Sequence, residues 1–144
     1  MISYLFGICT AIFLGFFPYF EIYLAIPTAM AAGVNWFDAF LWVSIGNWLV
    51  IPLIDTCYDW FLNFKFMRKL EKGVSSSKWK KWIEKRGALI IFLLTPIVGS
   101  WTIAVAGKII NYDQKKLFIL SAISIFVSSF IIALLTNYGI SLFK

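Results

Sequence analysis

GALIIFLLTPIVGSWTIAVAG, residues 87–107, is the stretch on which the fold turns. It holds no charge, and it has the length of a membrane-spanning helix, about 20 mostly apolar residues. Yet Pro96 and Gly99 stand at its centre. Proline removes an amide hydrogen and glycine loosens the backbone, so a helix is interrupted here. The flanking charges say which way the stretch runs. Before it lies a basic segment, residues 65–86, with nine Lys or Arg against two Glu; after it come Lys108, Lys115 and Lys116. Loops rich in Lys and Arg stay on the cytoplasmic side. Both flanks are therefore expected on one side, which a hairpin allows and a full crossing does not.

The composition of the whole chain points to a bilayer. Of its 144 residues 61% are hydrophobic and 14% are charged, with 15 Phe and 7 Trp. Soluble domains run near ~45–50% apolar and ~25% charged. One small domain has too little interior to hide so much apolar surface from water. A soluble enzyme, a nucleic-acid-binding domain and a disordered tail all fit poorly. The chain has no His, which removes the commonest metal ligand and the usual neutral-pH base. Cys9 and Cys57 sit in apolar runs and lack the partners of a disulfide framework or zinc site. Glycine-rich phosphate loops are also missing. Neither enzymatic chemistry nor a metal or cofactor is expected. The net charge of +6 is concentrated in residues 65–86, at +7, while the rest of the chain nets −1.

Residues 1–20 are uncharged, and about 2–17 read as a first span. Ala29-Met30-Ala31 could mimic a signal-peptide cleavage site, but the positive start of such a peptide is missing. Between 18 and 34, Pro18, Glu21 and Pro27 interrupt the run and Ala31-Ala32-Gly33 closes it. This reads as a re-entrant hairpin, its open backbone groups covered by other helices or water. A helix resumes over 39–62, with Asp38 in the N-cap position. Pro52 is expected to kink it, and Asp55 and Asp59 share one face. In the basic segment, Gly73–Ser77 reads as a break. Trp79, Trp82 and Ile83 follow on one helical face among Lys78, Lys80, Lys81 and Lys85, the pattern of an interfacial amphipathic helix. Residues 117–143 form a last span.

The two halves resemble one another. Ala32-Gly33 precedes Asn35-Trp36-Phe37-Asp38 and a long helix; Ala106-Gly107 precedes Asn111-Tyr112-Asp113 and a long helix. Gly33 and Gly107 are 74 residues apart. The expected fold is a single all-α integral membrane domain over 1–144, with about three full spans and two re-entrant hairpins. Its first repeat covers about 18–62, its interfacial connector 65–86 and its second repeat about 87–140. Hairpins entering from opposite faces make an inverted repeat, an architecture of secondary transporters that bind substrate near the midplane.

Glu21 is the leading proton-coupling candidate. An ionised carboxylate at membrane depth costs at least ~2.5 kcal/mol, and desolvation favours its protonated form. The competing reading is a hydrated Glu near the outer interface. Asp55 is the second candidate, although Lys65 and Arg68 could simply neutralise it at the interface. Substrate contacts are expected from the broken segments and their surroundings: Pro27, Asn47, Arg86, Pro96, Gly99, Trp101, Thr102 and Gly107. Asn47 can equally hydrogen-bond to another helix, Arg86 can attract a phosphate or snorkel, and the hydroxyls near Pro96 can patch a kink.

At the two broken segments the chain resembles the small multi-drug export protein family, a branch of the DedA-like membrane group. Glu21, Ala25, Ile26 and Pro27 match a Glu-x-Arg-x-Ala-Ile-Pro stretch, with Tyr23 in place of Arg. Pro96, Gly99, Trp101 and Thr102 match the second hairpin's stretch, with Ser100 in place of Ala. Ala106-Gly107 closes it at the spacing of the wider group. The likeness covers roughly residues 15–110. It implies a multi-pass protein of a prokaryotic inner membrane with two opposed re-entrant hairpins. Relatives in the DedA-like group move lipid-linked phosphates, with proton coupling. Gly99 stands where that group has a second arginine, so both hairpin arginines are missing, and anionic headgroups favour a planar cationic partner. The expected function is a secondary transporter or lipid translocase, proton-coupled, for an amphipathic or polyprenyl-phosphate-type substrate. A proton-driven exporter of small toxic molecules and a non-transporting scaffold are the alternatives. The expected partners are membrane lipids, and a homodimer would complete a pathway that three spans leave small.

Overall fold

The structure, a computed structural model, describes residues 2–18, 20–61, 63–65, 68–69, 72–73 and 78–142; side chains are not described at 2–3, 61 and 78–85. Among the described residues six helices are assigned: α1 (Ile2–Phe16), α2 (Glu21–Ala31), α3 (Trp36–Phe61), α4 (Lys78–Val98), α5 (Ser100–Ile109) and α6 (Gln114–Leu142). Only α3 and α6 among them are long and apolar enough to cross a membrane. The first span expected over 2–17 is corrected: α1 has 15 residues, about 22 Å at 1.5 Å per residue, short of a ~30 Å hydrocarbon core. Residues 18–34 do not form a hairpin by themselves either. They supply the turn after α1 and the single helix α2. The expected helix over 78–86 is present in the backbone; its side chains and the break at 74–77 lie outside the described residues.

The chain divides into two compact units, Met1–Leu49 with Ile125–Lys144, and Val50–Ser124. In the first unit α1 and α2 pack together as a hairpin. Its ends meet: a Cβ at Gly7 would lie 2.8 Å from Val34 Cγ2, and the Tyr4 hydroxyl bonds the Asp38 carboxylate and accepts from Asn35 Nδ2. The first arm also lies hard against α3. A Cβ at Gly15 would fall 2.2 Å from the Val43 carbonyl oxygen, and one at Gly46 the same distance from that of Ile12. Asn47, 5% exposed, donates to the Gly15 carbonyl at 3.0 Å, an acceptor in the last turn of α1, where helix carbonyls lose their partners. Rings of Trp36 and Phe40 pack edge-on against Phe126 and Phe130 of α6.

In the second unit the backbone leaves helical geometry at Gly87 (φ 26°, ψ −95°) and again at Gly99 (φ 85°, ψ 155°). The segment between and α5 form the second hairpin. Its ends also meet, because Gly87 lies against the Tyr112 ring. Lys108, in the last turn of α5, forms an ion pair with Asp55 of α3 at 2.6 Å. Pro96 has no N–H for the Phe92 carbonyl four residues back; Ser124 Oγ of α6 donates to that carbonyl. Gly107 is buried against Leu117 of α6.

One pattern of hydrogen bonds occurs twice, 78 residues apart. At the end of α2, Gly33 N donates to Met30 O and Val34 N to Ala29 O; at the end of α5, Asn111 N donates to Lys108 O and Tyr112 N to Gly107 O. Both are Schellman motifs, which need a left-handed residue at their centre; Gly33 has φ 93° and Asn111 φ 53°. Asn35 then caps α3 through Asp38 N, and Asp113 caps α6 through Lys115 N and Lys116 N. The N-cap expected at Asp38 therefore belongs to Asn35. The register expected from Gly33 and Gly107 is four residues short, because Asn111 fills the glycine's place.

Candidate functional site

The 78-residue register carries the two hairpin turns onto one another. α2 begins at Glu21 and α5 follows Gly99; Pro18 and Pro96 each lie three residues earlier. Glu21 and Gly99 are also the turn residues with positive φ, 42° and 85°. Glycine adopts such angles freely, whereas a glutamate there costs about 1–2 kcal/mol. The side chain of Glu21 is half-buried. Among the described residues its carboxylate has neither a hydrogen bond nor an ion pair. Ile22, Ala25, Ile26 and Ala29 of the same helix are buried, so the acid stands at the head of an apolar helix. Pro27 lies within α2, half-buried, and leaves the Tyr23 carbonyl without its helical donor.

At the second turn the structure brings Pro96, Gly99, Trp101 and Thr102 within one short stretch, with Trp101 and Thr102 half-buried. Thr95 is buried and turns back to the Ile91 carbonyl. Ser100 is 1% exposed, and among the described residues its hydroxyl has no hydrogen-bond partner. No side chain caps α5, so its first amides keep the partial positive charge of a helix start.

The remaining candidates are placed elsewhere. Asn47 and Gly107 hold helices together, as described above. Arg86 is exposed just before the Gly87 kink. Asp55 is paired with Lys108 and lines a cavity of about 180 Å³ with Ile51, Pro52, Gln114, Lys115 and Phe118. Lys65 and Arg68, the expected neutralisers of Asp55, are not its partner; Lys108 is. Sequence reasoning missed Lys108, Ser124 and this cavity. Ser124 is one of several hydroxyls on an apolar helix, and its distance from Phe92 in sequence, 32 residues, is the same as that of Asn47 from Gly15. Among the described residues no cluster of His, Cys, Asp or Glu could hold a metal.

A family model described as Putative small multi-drug export protein matches residues 21–131. The chain belongs to this family. The match opens at Glu21 and takes in α2, α3, the connector, the second turn and α6 as far as residue 131. It agrees with the apolar helices in making this a membrane protein. No curated protein and no solved structure matches the chain.

Proposed function

We propose that this small multi-drug export family member is a secondary transporter of small amphipathic molecules, driven by protons that Glu21 takes up and releases. One observation carries the reading. Glu21 is a half-buried acid at a hairpin turn with no hydrogen bond or ion pair among the described residues, and it has a positive φ, as does Gly99 at the equivalent position. Strain of this kind persists where function needs it. In this reading α1–α2 and α4–α5 are re-entrant hairpins. α2 and α5 have 11 and 10 residues, about 15–17 Å each, too short to cross. Residues 65–86 face the cytoplasm of a prokaryotic inner membrane. The second hairpin then enters from the cytoplasm and the first from outside, which makes the repeats inverted. A homodimer would complete the pathway.

Translocation of a lipid-linked phosphate, which kinship with the DedA-like group would suggest, has less support, since Tyr23 and Gly99 stand where arginines would hold the phosphate. The deciding experiment uses proteoliposomes with an imposed pH gradient, a fluorescent lipophilic cation as substrate and a trapped pH dye. Wild-type protein should couple dye movement to proton movement. Glu21→Gln should fold normally and lose that coupling. Equal fluxes for the two proteins would remove Glu21 from the mechanism. If replacing Lys78, Lys80 and Lys81 with Gln abolished the cellular phenotype while Glu21→Gln was silent, the scaffold alternative would stand instead.

A further inference from the structure

The cavity beside Asp55 includes no residue of either hairpin turn, and its lining is ordered. From α3 it takes Ile51, Pro52 and Asp55; from α6 it takes Gln114, Lys115 and Phe118. Asp55 is the lining residue nearest the C-terminus of α3, six residues before Phe61, and Gln114 and Lys115 open α6. The polar lining residues are therefore the ones nearer the ends of the two long helices. Ile51, Pro52 and Phe118 lie up to a turn further into the apolar runs. Polar at the boundary and apolar below is the profile of a lipid at the edge of its leaflet.

The charges select the headgroup. The Asp55 carboxylate already has a cation, Lys108, at 2.6 Å. Lys115 is exposed, and among the described residues its ammonium has no ion pair; Asp113 caps its backbone N–H and lies nearest the ammonium of Lys116, at 4.0 Å. The lining thus offers one cation without an ion pair among the described residues, Lys115; Lys108 lies outside the lining, on Asp55. We infer that this groove binds the headgroup of an anionic phospholipid, with the phosphate on Lys115 and the upper acyl chain against Phe118 and Ile51. Asp55 limits the affinity by occupying Lys108. The inference goes beyond the transport reading. It needs the chain to lie in a membrane but does not involve Glu21, so loss of coupling in Glu21→Gln leaves it standing, and its own failure leaves coupling untouched.

The test is native mass spectrometry of the full chain released from nanodiscs of phosphatidylcholine with a minority of phosphatidylglycerol, counting retained phosphatidylglycerol. Each lysine near an anionic surface is worth about fivefold in binding. Lys115→Gln should lower retention about fivefold, with the basic segment intact as an internal control. Lys108→Gln should also lower it, by leaving Asp55 unneutralised. Asp55→Asn should raise it, by freeing Lys108. A merely structural ion pair predicts loss in both Lys108→Gln and Asp55→Asn, so the opposite signs are the signature. Equal retention by wild type and Lys115→Gln, or reduced retention in Asp55→Asn, overturns the inference. Inorganic phosphate displacing the lipid at millimolar concentration would overturn the assignment to a lipid, because the apolar half of the groove would then contribute nothing.

Discussion

Glu21 and Gly99 occupy equivalent turns, and they differ in what the backbone asks of them. Gly99 has φ 85° and ψ 155°, a region that only glycine enters without strain of about 1–3 kcal/mol. Gly99→Ala should therefore lower thermal stability in detergent by about that much. Glu21, at φ 42°, already carries strain. Glu21→Gly should leave stability unchanged or raise it by up to about 1 kcal/mol, since relief of the left-handed strain slightly outweighs the extra freedom of the unfolded chain. It should also abolish coupling as completely as Glu21→Gln. A clear loss of stability in Glu21→Gly would show that the carboxylate is a structural anchor. The identity of both turn residues was legible in the sequence, because proline and glycine punctuate a helix and an acid in an apolar run stands out. The backbone angle at Glu21 was not legible. Glutamate gives no left-handed signal, and only comparison with Gly99 at the right register makes the angle intelligible.

Packing between helices depends on missing side chains. Gly15 and Gly46 let α1 approach α3 to backbone contact. Helix propensity alone favours Ala over Gly by about 1 kcal/mol, so the sign of Gly46→Ala is informative. It should destabilise by several kcal/mol, because a methyl 2.2 Å from the Ile12 carbonyl oxygen forces the helices apart. A melting temperature at or above wild type would refute the close approach. In the second hairpin Ser124 satisfies the carbonyl that Pro96 strands. Ser124→Ala should cost about 1 kcal/mol, the net worth of a hydrogen bond. With Pro96→Ala, which returns an N–H to the Phe92 carbonyl, the cost of Ser124→Ala should shrink; a double-mutant cycle with no coupling between the two sites would reject this account. The long helices and the break at Gly99 were readable from apolar length and punctuation. The limits of the first hairpin were not, since Phe17 and Phe20 flank its turn as apolar residues and hide it inside an uncharged run. The repeat register slipped by four residues because Asn111 takes the left-handed angle that a search for glycine assigns to Gly107. The cap of α3 was misplaced onto Asp38 because Asn35 and Asp38 are both capping residues, and only the bond from Asp38 N to Asn35 Oδ1 decides between them.

For the whole molecule, the proposed arrangement in the membrane rests on where residues 87–109 return to. Two contacts within the second unit bear on this. Gly87 meets Tyr112, so the segment's two ends lie together. Lys108 meets Asp55, and Asp55 comes shortly before the basic stretch that begins at Lys65. In the proposed topology, a segment that leaves from the basic side and ends beside Asp55 does not cross the ~30 Å of hydrocarbon. The same conclusion comes independently from the lysines, since Lys108, Lys115 and Lys116 belong on the side of residues 65–86 under the positive-inside rule. Single cysteines make this measurable on a background with Cys9 and Cys57 replaced by Ser. Ala32→Cys, Lys72→Cys and Lys116→Cys all probe exposed positions. A membrane-impermeant maleimide added to intact cells should label Ala32→Cys alone, and the other two only after the membrane is opened. If residues 87–109 were a full crossing, Lys116→Cys would instead label together with Ala32→Cys. Each extra crossing reverses the side of every later residue, so one such result would also reverse the proposed entry of the second hairpin and remove the inverted repeat on which a shared transport pathway depends.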